Sequence, residues 1–205
     1  AALLPAENTS VDTRNDEILK AEPENGICRV ICYSPRHDLT IPRMAHSHVV
    51  SIVTTWLNEY QHLGAMEDIH HVQIFENRGH MMGCSNPHPH GQIWANSSIP
   101  GIPAREQQGQ EGHLDRTGSC LLCEYLKREL HENVRVIFVN DFFVALVPFW
   151  ATWPFETMII PRFHAGSIAS LLRPQIDALA AIMIELGTCY DNLFQTSFPY
   201  SMGIH

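Results

Sequence analysis

The sequence is organised around one stretch, Asn86-Pro87-His88-Pro89-His90-Gly91-Gln92. Each of the two prolines fixes its own φ and restrains the residue before it, which favours an extended segment. In an extended segment the side chains of residues i and i+2 point to the same side, so the two imidazoles become neighbours on a stiff backbone. The stretch therefore predicts a strand-like segment that presents a pair of histidines.

Nucleotidyl transfer is the chemistry that suits this pair best. A neutral imidazole is a competent nucleophile near pH 7 and needs no separate base. It can form a phosphoramidate and release it again, which suits a transfer in two steps. The preceding Gly83, Cys84 and Ser85 can present backbone amides to phosphate oxygens, and Gln92 falls on the same face as His90. The alternative is a structural or metal-binding pair, which a bare His-x-His would favour.

Hydrophobic patterning outward from this stretch predicts an α+β fold. Short β-branched runs predict strands, and apolar residues at helical spacing predict helices. The predicted strands are Arg29–Ser34, Val72–Asn77, Gly91–Ala95, Val134–Val139, Phe142–Pro148, Thr157–Ile160 and Phe198–Gly203, and the predicted helices span about residues 45–63, 124–130 and 174–194. Residues 1–26 and 97–118 are polar, and we predict a loop or extended arm for the first segment and a loop for the second.

An internal similarity predicts a duplicated fold. Arg29–His37 resembles Glu156–His164, since each is a strand that runs into Pro and His and is followed by a helix, a strand and a Gly-containing loop. The second copy reaches His205 before any counterpart of the His-Pro-His motif. We therefore predict two halves, residues 1–112 with the motif and residues 113–205 as an incomplete second half.

Composition excludes several classes of function. The formal net charge of −9 argues against nucleic acid as a partner, and it implies that amides, His and a few Arg would hold a phosphate. No window is apolar for the roughly 18 residues that a membrane helix needs. The six Cys occur without a disulfide-rich composition, which predicts a cytoplasmic setting. The first residue is not Met, which indicates a fragment or a processed chain.

Long stretches of the chain resemble galactose-1-phosphate uridylyltransferase. The matching segments are Phe75–Gly79, Met82–Ala95, Val147–Thr157 and Tyr190–Gly203, and the similarity extends over nearly the whole chain from about Cys28. This family belongs to the histidine-triad superfamily. The resemblance therefore implies a duplicated histidine-triad-like α+β fold, with an antiparallel half-barrel sheet and flanking helices.

The resemblance also implies a reaction. UDP-glucose donates UMP to His90 and releases glucose-1-phosphate, and galactose-1-phosphate then takes the UMP to give UDP-galactose. The backbone carbonyl of His88 would orient the ring of His90. The resemblance further implies a homodimer, and parts of the family's active site, including much of the uridine pocket, lie outside this chain. The implied nucleotide and phosphate site consists of Asn77, Gly83, Cys84, Ser85 and Gln92, although simple packing is an equal alternative for Cys84.

Two metal sites are implied by the same resemblance. One is a structural zinc site, for which this chain supplies His37 and His88, while the family's Cys pair has no counterpart here. The other binds iron or zinc, and this chain supplies Glu106 and His205 to it. The remaining ligands of both sites would lie beyond the ends of the chain.

A third candidate site departs from the best-known members of the family. Cys120-Leu121-Leu122-Cys123 has a spacing that suits zinc, and His164 stands in the second copy where His37 stands in the first. A second zinc on Cys120, Cys123 and His164, with a fourth ligand beyond residue 205, is one hypothesis. The alternative is a pair of cysteines that face the core. A redox role is less favoured, because no thioredoxin-like context surrounds the pair.

Two other functions remain open at this point. One is a related enzyme that handles a different nucleotide, such as an adenylyltransferase or a nucleotide hydrolase. The other is an inactive, truncated remnant or metal-stabilised binding module.

Overall fold

The computed structural model describes Ile18 and residues 24–205 of the chain. In chain order the elements are β1 (Gly26–Cys32), α1 (His46–Gly64), β2 (His71–Arg78), β3 (His90–Asn96), α2 (Gly101–Thr117), α3 (Leu121–Glu132), β4 (Val136–Val139), β5 (Phe143–Leu146), β6 (Met158–Pro161), α4 (Arg173–Phe194) and β7 (Tyr200–Ile204). The predicted α+β class is confirmed. The loop or extended arm predicted for residues 1–26 lies almost wholly outside the described residues.

Two antiparallel sheets carry the fold. The larger has the strand order β1-β3-β2-β7, and the smaller has the order β4-β5-β6. Across the larger sheet, Gly26 of β1 pairs with Asn96 of β3, and Ile74 of β2 pairs with Ile204 of β7. Because β7 comes from the C-terminal half of the sequence, the two halves share this sheet.

The main core lies between the larger sheet and α1. Every second residue of β2 from Val72 to Arg78 is buried, which is the alternation of a strand with one covered face. Against this face, α1 turns Val49, Val53 and Trp56 inward, and all three are fully buried. Burying one aliphatic side chain stabilises the fold by roughly 1.5–3 kcal/mol. This contact therefore anchors the strands that precede and follow the His-Pro-His stretch.

The smaller sheet is covered on both faces. Val144 and Leu146 of β5 pack with Leu126 of α3 on one face. On the other face, Phe143 packs with Ile182 of α4. All four residues of β5 are buried, which explains why its sequence is a continuous apolar run rather than an alternating one.

The loop predicted for residues 97–118 is wrong, because residues 101–117 form α2. Its glycines and polar residues argued for a loop, and none of its residues is buried. Polar contacts one turn apart stabilise it instead, such as the bond that Gln107 donates to Glu111 at 2.8 Å. Pro103 lies in the first turn, where no partner for its missing N–H is needed. Among the described residues, no helix is both long and apolar enough to cross a bilayer.

Candidate active site

A cleft of about 300 Å³ opens where β3 begins. The end of β2, the loop between β2 and β3, and the segment between β1 and α1 form its walls. The polar side chains on these walls include Asn77, Arg78, Cys84, Ser85, His88 and His90. The His-Pro-His stretch is therefore one wall of a concave site.

The loop between β2 and β3 depends on two glycines in its tight turns. Gly79 has a φ of +88°, and a methyl group there would lie 2.8 Å from Cβ of Pro199. Gly83 has a φ of +76° in the left-handed region and ends the short 3-10 helix His80–Met82. Glycine adopts such angles without a steric penalty. The loop can therefore fold back so that Cys84 and Ser85 reach the cleft.

His90 is held in one orientation by its own loop. Its Nδ1 lies 2.7 Å from the backbone oxygen of His88. A carbonyl only accepts, so Nδ1 carries the proton and donates it in this bond. The lone pair of the neutral ring then lies on Nε2, which is the nitrogen available to attack phosphorus. The backbone itself is fixed on the other side, because the N–H of Tyr33 donates to the Pro89 carbonyl at 2.9 Å.

Gly91, next to His90, allows a close approach between two elements. A side chain there would collide with the hydroxyl of Tyr33, and its Cβ would lie 2.9 Å from Cζ of the same ring. Tyr33 is itself buried and stacks edge-on against Trp56 of α1, with ring centroids 5.8 Å apart. The core residue Tyr33 thus contacts Gly91, which follows the nucleophile candidate His90, with no room for a side chain between them.

A buried carboxyl group lies on the cleft wall. Glu76 is only 4% exposed, and Tyr200 of β7 donates a hydrogen bond to its Oε2 at 3.1 Å. Burial is the main reason why the pKa of Glu76 rises from 4.5 to about 7, while the Tyr200 bond and Arg78 oppose the rise. Glu76 was not among the site residues predicted from the sequence. Its position two residues after the buried Ile74 was the available signal, since alternate residues share a face.

Arg78 continues this buried face and was also missed. Its guanidinium contacts Asp191 of α4 at 3.4 Å and also Ser197. The guanidinium carbon lies 5.5 Å from the centre of the Tyr200 ring, which is within the range of a cation–π contact. Arg78 therefore ties the end of β2 to α4 and β7.

The predicted nucleotide-site residues separate into two groups. Asn77, Cys84 and Ser85 line the cleft together with His90. Gly83 supports the loop without lining the cleft, and Gln92 lies two residues along β3 from His90. The Oε1 atom of Gln92 accepts a hydrogen bond from the indole of Trp94 at 3.3 Å. The Nε2 amide of Gln92 is the part of that side chain that can donate to a ligand.

Both histidine-containing pairs implied by the resemblance are in contact. Nδ1 of His37 lies 2.9 Å from Nδ1 of His88, so the two ring nitrogens can share a proton or a cation. Nδ1 of His205 lies 3.1 Å from Oε2 of Glu106 on α2. The members of each pair are distant in sequence, and folding brings them together at the surface.

The third candidate cluster is also assembled. Cys120 caps the N-terminus of α3, and its Sγ accepts from the N–H of Cys123 at 3.5 Å. Sγ of Cys123 lies 3.6 Å from Nδ1 of His164, which follows β6. One ligand atom from each of the three residues lies within 4.8 Å of the other two. Within the described residues, this is the group of three His, Cys, Asp or Glu side chains that is close enough to hold one ion.

Comparison with known families gives a consistent result over the whole chain. Residues 2–100 match the family described as galactose-1-phosphate uridyl transferase, N-terminal domain. Residues 105–205 match the C-terminal domain of the same family.

Curated relatives agree with this match. The chain is 46% identical over 191 residues to galactose-1-phosphate uridylyltransferase of Haemophilus influenzae, covering 93% of the chain and 54% of the relative. It is 43% identical over 188 residues to the Rattus norvegicus protein of that name, covering 92% and 49%. The chain thus spans about half the length of the curated relatives it matches.

Solved structures show the same fold. A structure described as "Structure of uridylyltransferase" matches with a TM-score of 0.84 and 26% identity, covering 88% of this chain and 57% of the other. An ADP-glucose phosphorylase from Arabidopsis thaliana with bound ADP-glucose matches with a TM-score of 0.81 and 25% identity, covering 88% and 56%. The predicted duplicated, antiparallel α+β fold agrees with these neighbours.

Proposed function

Because the chain belongs to the galactose-1-phosphate uridylyltransferase family, we propose that its protein transfers a uridylyl group from UDP-glucose to galactose-1-phosphate through His90. The observation that carries the proposal is the fixed ring of His90 at the cleft, with Nδ1–H donating to the His88 carbonyl at 2.7 Å and Nε2 left with its lone pair. The products are glucose-1-phosphate and UDP-galactose.

In the first step, Nε2 of His90 attacks the α-phosphorus of UDP-glucose. The bond between that phosphorus and the bridging oxygen breaks, and glucose-1-phosphate leaves with the bridging oxygen and its electron pair. The uridylyl group is now bound to Nε2, and the ring carries a positive charge. The bond from Nδ1–H to the His88 carbonyl stabilises this charged ring, as an acceptor does for other catalytic imidazoles.

In the second step, a phosphate oxygen of galactose-1-phosphate attacks the same phosphorus. Nε2 of His90 is the leaving group, which restores the free ring and gives UDP-galactose. Asn77 and Ser85 on the cleft wall and the amide of Gln92 supply hydrogen bonds to the nucleotide and its phosphates. Gly83 contributes by shaping the loop, because the N–H groups of Gly83 and Cys84 already donate to the carbonyls of His80 and Gly79. Cys84 lies beside them as a contact residue. These donors compensate for the absence of a strongly basic surface, since the chain has a net charge of −9.

The proposal includes metal ions away from the phosphorus. His37 and His88 would hold a zinc ion, because their Nδ1 atoms, 2.9 Å apart, need to separate by only about 0.4 Å to match two imidazole ligands of one tetrahedral ion. Such an ion would fix the His88 backbone and, through its carbonyl, the ring of His90. Glu106 and His205 would hold a second ion, iron or zinc, which joins α2 to the end of β7.

The wider organisation is part of the same proposal. We keep two halves, residues 1–112 and 113–205, and their division falls inside α2. A homodimer and a cytoplasmic location follow from the family resemblance and from six free cysteines. The sugar and nucleotide partners are UDP-glucose, UDP-galactose, glucose-1-phosphate and galactose-1-phosphate.

A second candidate is transfer of an adenylyl group through the same histidine. It is favoured by the structural match to an ADP-glucose phosphorylase, which was solved with ADP-glucose bound. The chemistry at phosphorus is the same in both cases, and the nucleotide base distinguishes them.

The decisive experiment is a search for the covalent adduct. The natural protein that carries this chain is incubated with UDP-glucose or with ADP-glucose, quenched under alkaline conditions that preserve a phosphoramidate, and mapped by mass spectrometry. We expect a uridylyl group on His90 after UDP-glucose alone. An adenylyl group formed in preference would support the second candidate. Absence of any adduct, with binding retained, would indicate the inactive remnant.

A further inference from the structure

We propose that Cys120, Cys123 and His164 form a zinc site that fastens the start of α3 to the loop after β6. This site is separate from the cleft at His90 and does not depend on the transfer reaction. Neither the family matches nor the relatives' names assign it.

The distances fit one tetrahedral ion. Zinc lies about 2.3 Å from a thiolate sulfur and about 2.0–2.1 Å from an imidazole nitrogen. Two such ligands of one tetrahedral ion therefore lie roughly 3.5–3.8 Å apart. Sγ of Cys123 and Nδ1 of His164 are 3.6 Å apart, and the three donor atoms of the cluster all lie within 4.8 Å of one another. The three side chains can close on an ion with small rotamer adjustments.

Burial and the neighbouring Cys120 raise the pKa of the Cys123 thiol, so a bound zinc ion would have to displace its proton, and the start of the helix helps to hold the resulting thiolate. Cys120 is the N-cap of α3, and Cys123 lies in its first turn. Unpaired N–H groups and the positive end of the helix dipole stabilise negative charge there. Two soft thiolates and one imidazole select zinc over the hard ions calcium and magnesium. Three protein ligands leave the fourth position to water or to one further side chain.

The alternative, core cysteines, fits the packing less well. The buried clusters on the two faces of the smaller sheet are formed by aliphatic and aromatic side chains, and neither cysteine belongs to them. Both cysteines are only partly buried, and His164 is exposed. A site at the rim of the sheet is accessible to an ion and needs no rearrangement of the core.

The site has a clear mechanical role. The cluster that joins α3 to the smaller sheet is small, with Leu126 packed on Val144, Leu146 and Ile160. Small cores often need a metal or a covalent link as an additional restraint. Zinc would connect residues 41 positions apart in the chain, 123 and 164, and would therefore hold α3 on the sheet even when this small core fluctuates.

Thiol protection in the unmutated protein is the first test. The purified protein, stripped with a chelator and kept reduced, is alkylated briefly with and without added zinc, and each cysteine is quantified by mass spectrometry. We expect zinc to slow the modification of Cys120 and Cys123 by at least tenfold. Cys32 and Cys189 are exposed and serve as internal controls that zinc should not change. Equal labelling of Cys120 and Cys123 in both samples would overturn the proposal.

Cobalt substitution combined with mutation separates this site from the His37–His88 site. Any site with cysteine ligands gives thiolate-to-cobalt charge-transfer absorption in the near ultraviolet, including the His37–His88 site once the family's Cys pair completes it. We expect Cys120→Ser/Cys123→Ser to lose one equivalent of bound cobalt together with the part of this band that belongs to it. The matched variant Cys28→Ser/Cys32→Ser, which changes two cysteines of β1, should keep both. If the first double variant does not fold, His164→Asn replaces it and should weaken zinc binding by at least tenfold. A band and metal content unchanged by these substitutions would contradict the site.

Discussion

The two copies of the repeated unit have the same order of elements but different strand pairing. In the first copy, β1 and β2 are joined by β3, which pairs with both. In the second copy, β6 and β7 correspond to β1 and β2, but they lie in different sheets of the described structure. The residue that carries the proposed chemistry, His90, is the first residue of the joining strand. The repeated strand and helix therefore form the scaffold of each copy, and the third strand of the first copy adds the proposed nucleophile.

The segments that follow the first strand of each copy are alike, in contrast to the strand pairing. His37 follows β1 and contacts His88, and His164 follows β6 and contacts Cys123. Each copy therefore has a cluster of metal-ligand side chains, although only the first copy has a nucleophile candidate in the described residues. A cluster of metal-ligand side chains thus occurs in both copies, whereas the proposed nucleophile lies on β3.

The largest expected effect comes from His90→Gly, which removes the reactive group from β3 and leaves both scaffolds intact. We expect uridylyl transfer to fall by at least about 10⁴-fold, since removal of a covalent nucleophile has effects of this order. Glucose-1-phosphate should still bind, because the cleft walls remain. Steady-state transfer and equilibrium binding measure the two quantities.

His70→Gly is the matched control for this variant. His70 is exposed in the loop before β2, and its replacement should leave transfer within about twofold of the natural rate, as surface changes usually do. Full activity in His90→Gly would remove His90 from the mechanism and would leave β3 with a purely structural role.

The sequence predicted most of what the first copy shows, for a physical reason. The period-two alternation of Val72 and Ile74 and the helical spacing of Val49, Val53 and Trp56 report directly on burial. The pairing of His37 with His88 was predictable only from the resemblance, since 51 residues separate them and no local pattern indicates their contact. Strand order, with β7 beside β2, depended on tertiary packing and was not predicted.

The second largest effect concerns Glu76 and Tyr200, where the two copies meet. The pKa of Glu76 in the folded chain is about 7 against 4.5 for an ordinary Glu. Between these values the unfolded chain releases a proton that the folded chain keeps, so raising the pH favours unfolding. This contribution to stability is complete below about pH 4.5 and is lost as the pH rises through about 7. The shift corresponds to roughly 3 kcal/mol.

Glu76→Gln tests this contact between Glu76 and Tyr200. Gln keeps the size and an acceptor for the Tyr200 hydroxyl, but it does not ionise. We expect the free energy of unfolding of the natural protein, measured with urea, to fall by about 2–3 kcal/mol between pH 5 and pH 8 relative to that of the variant. The same pH dependence of stability in both proteins would mean that the pKa of Glu76 is ordinary and that water reaches its contact with Tyr200.

The burial of Glu76 and the helix at residues 101–117 show where local patterns fail. Because acidic residues are usually exposed, the alternation along β2 was not enough to predict that Glu76 is buried. The helix α2 has no buried face to create an apolar period. Hydrophobic periodicity does not report the polar contacts that matter in these two places. They are the hydrogen bond from Tyr200 to Glu76 and the i,i+4 polar pairs of α2.

An intermediate effect is expected for Gly91→Ala, which changes the contact between β3 and the core. The added methyl group would collide with Tyr33, and overpacking of this kind costs about 1–3 kcal/mol. The variant should unfold at lower urea concentration and should transfer more slowly, because the backbone of His90 must shift. Retention of both stability and rate would show that β3 is less tightly held against the core than the contact implies.

The smallest effect is expected from Gly109→Ala, in the helix α2 that connects the two copies. No heavy atom lies within 4 Å of a methyl group placed there, and Gly109 is exposed inside the helix. Alanine is favoured over glycine in a helix interior by about 0.5–1 kcal/mol. We therefore expect slower amide exchange across α2, with little change in the global unfolding midpoint if α2 opens independently of the copies. A rise of the global midpoint by the full increment would instead mean that α2 unfolds together with both copies.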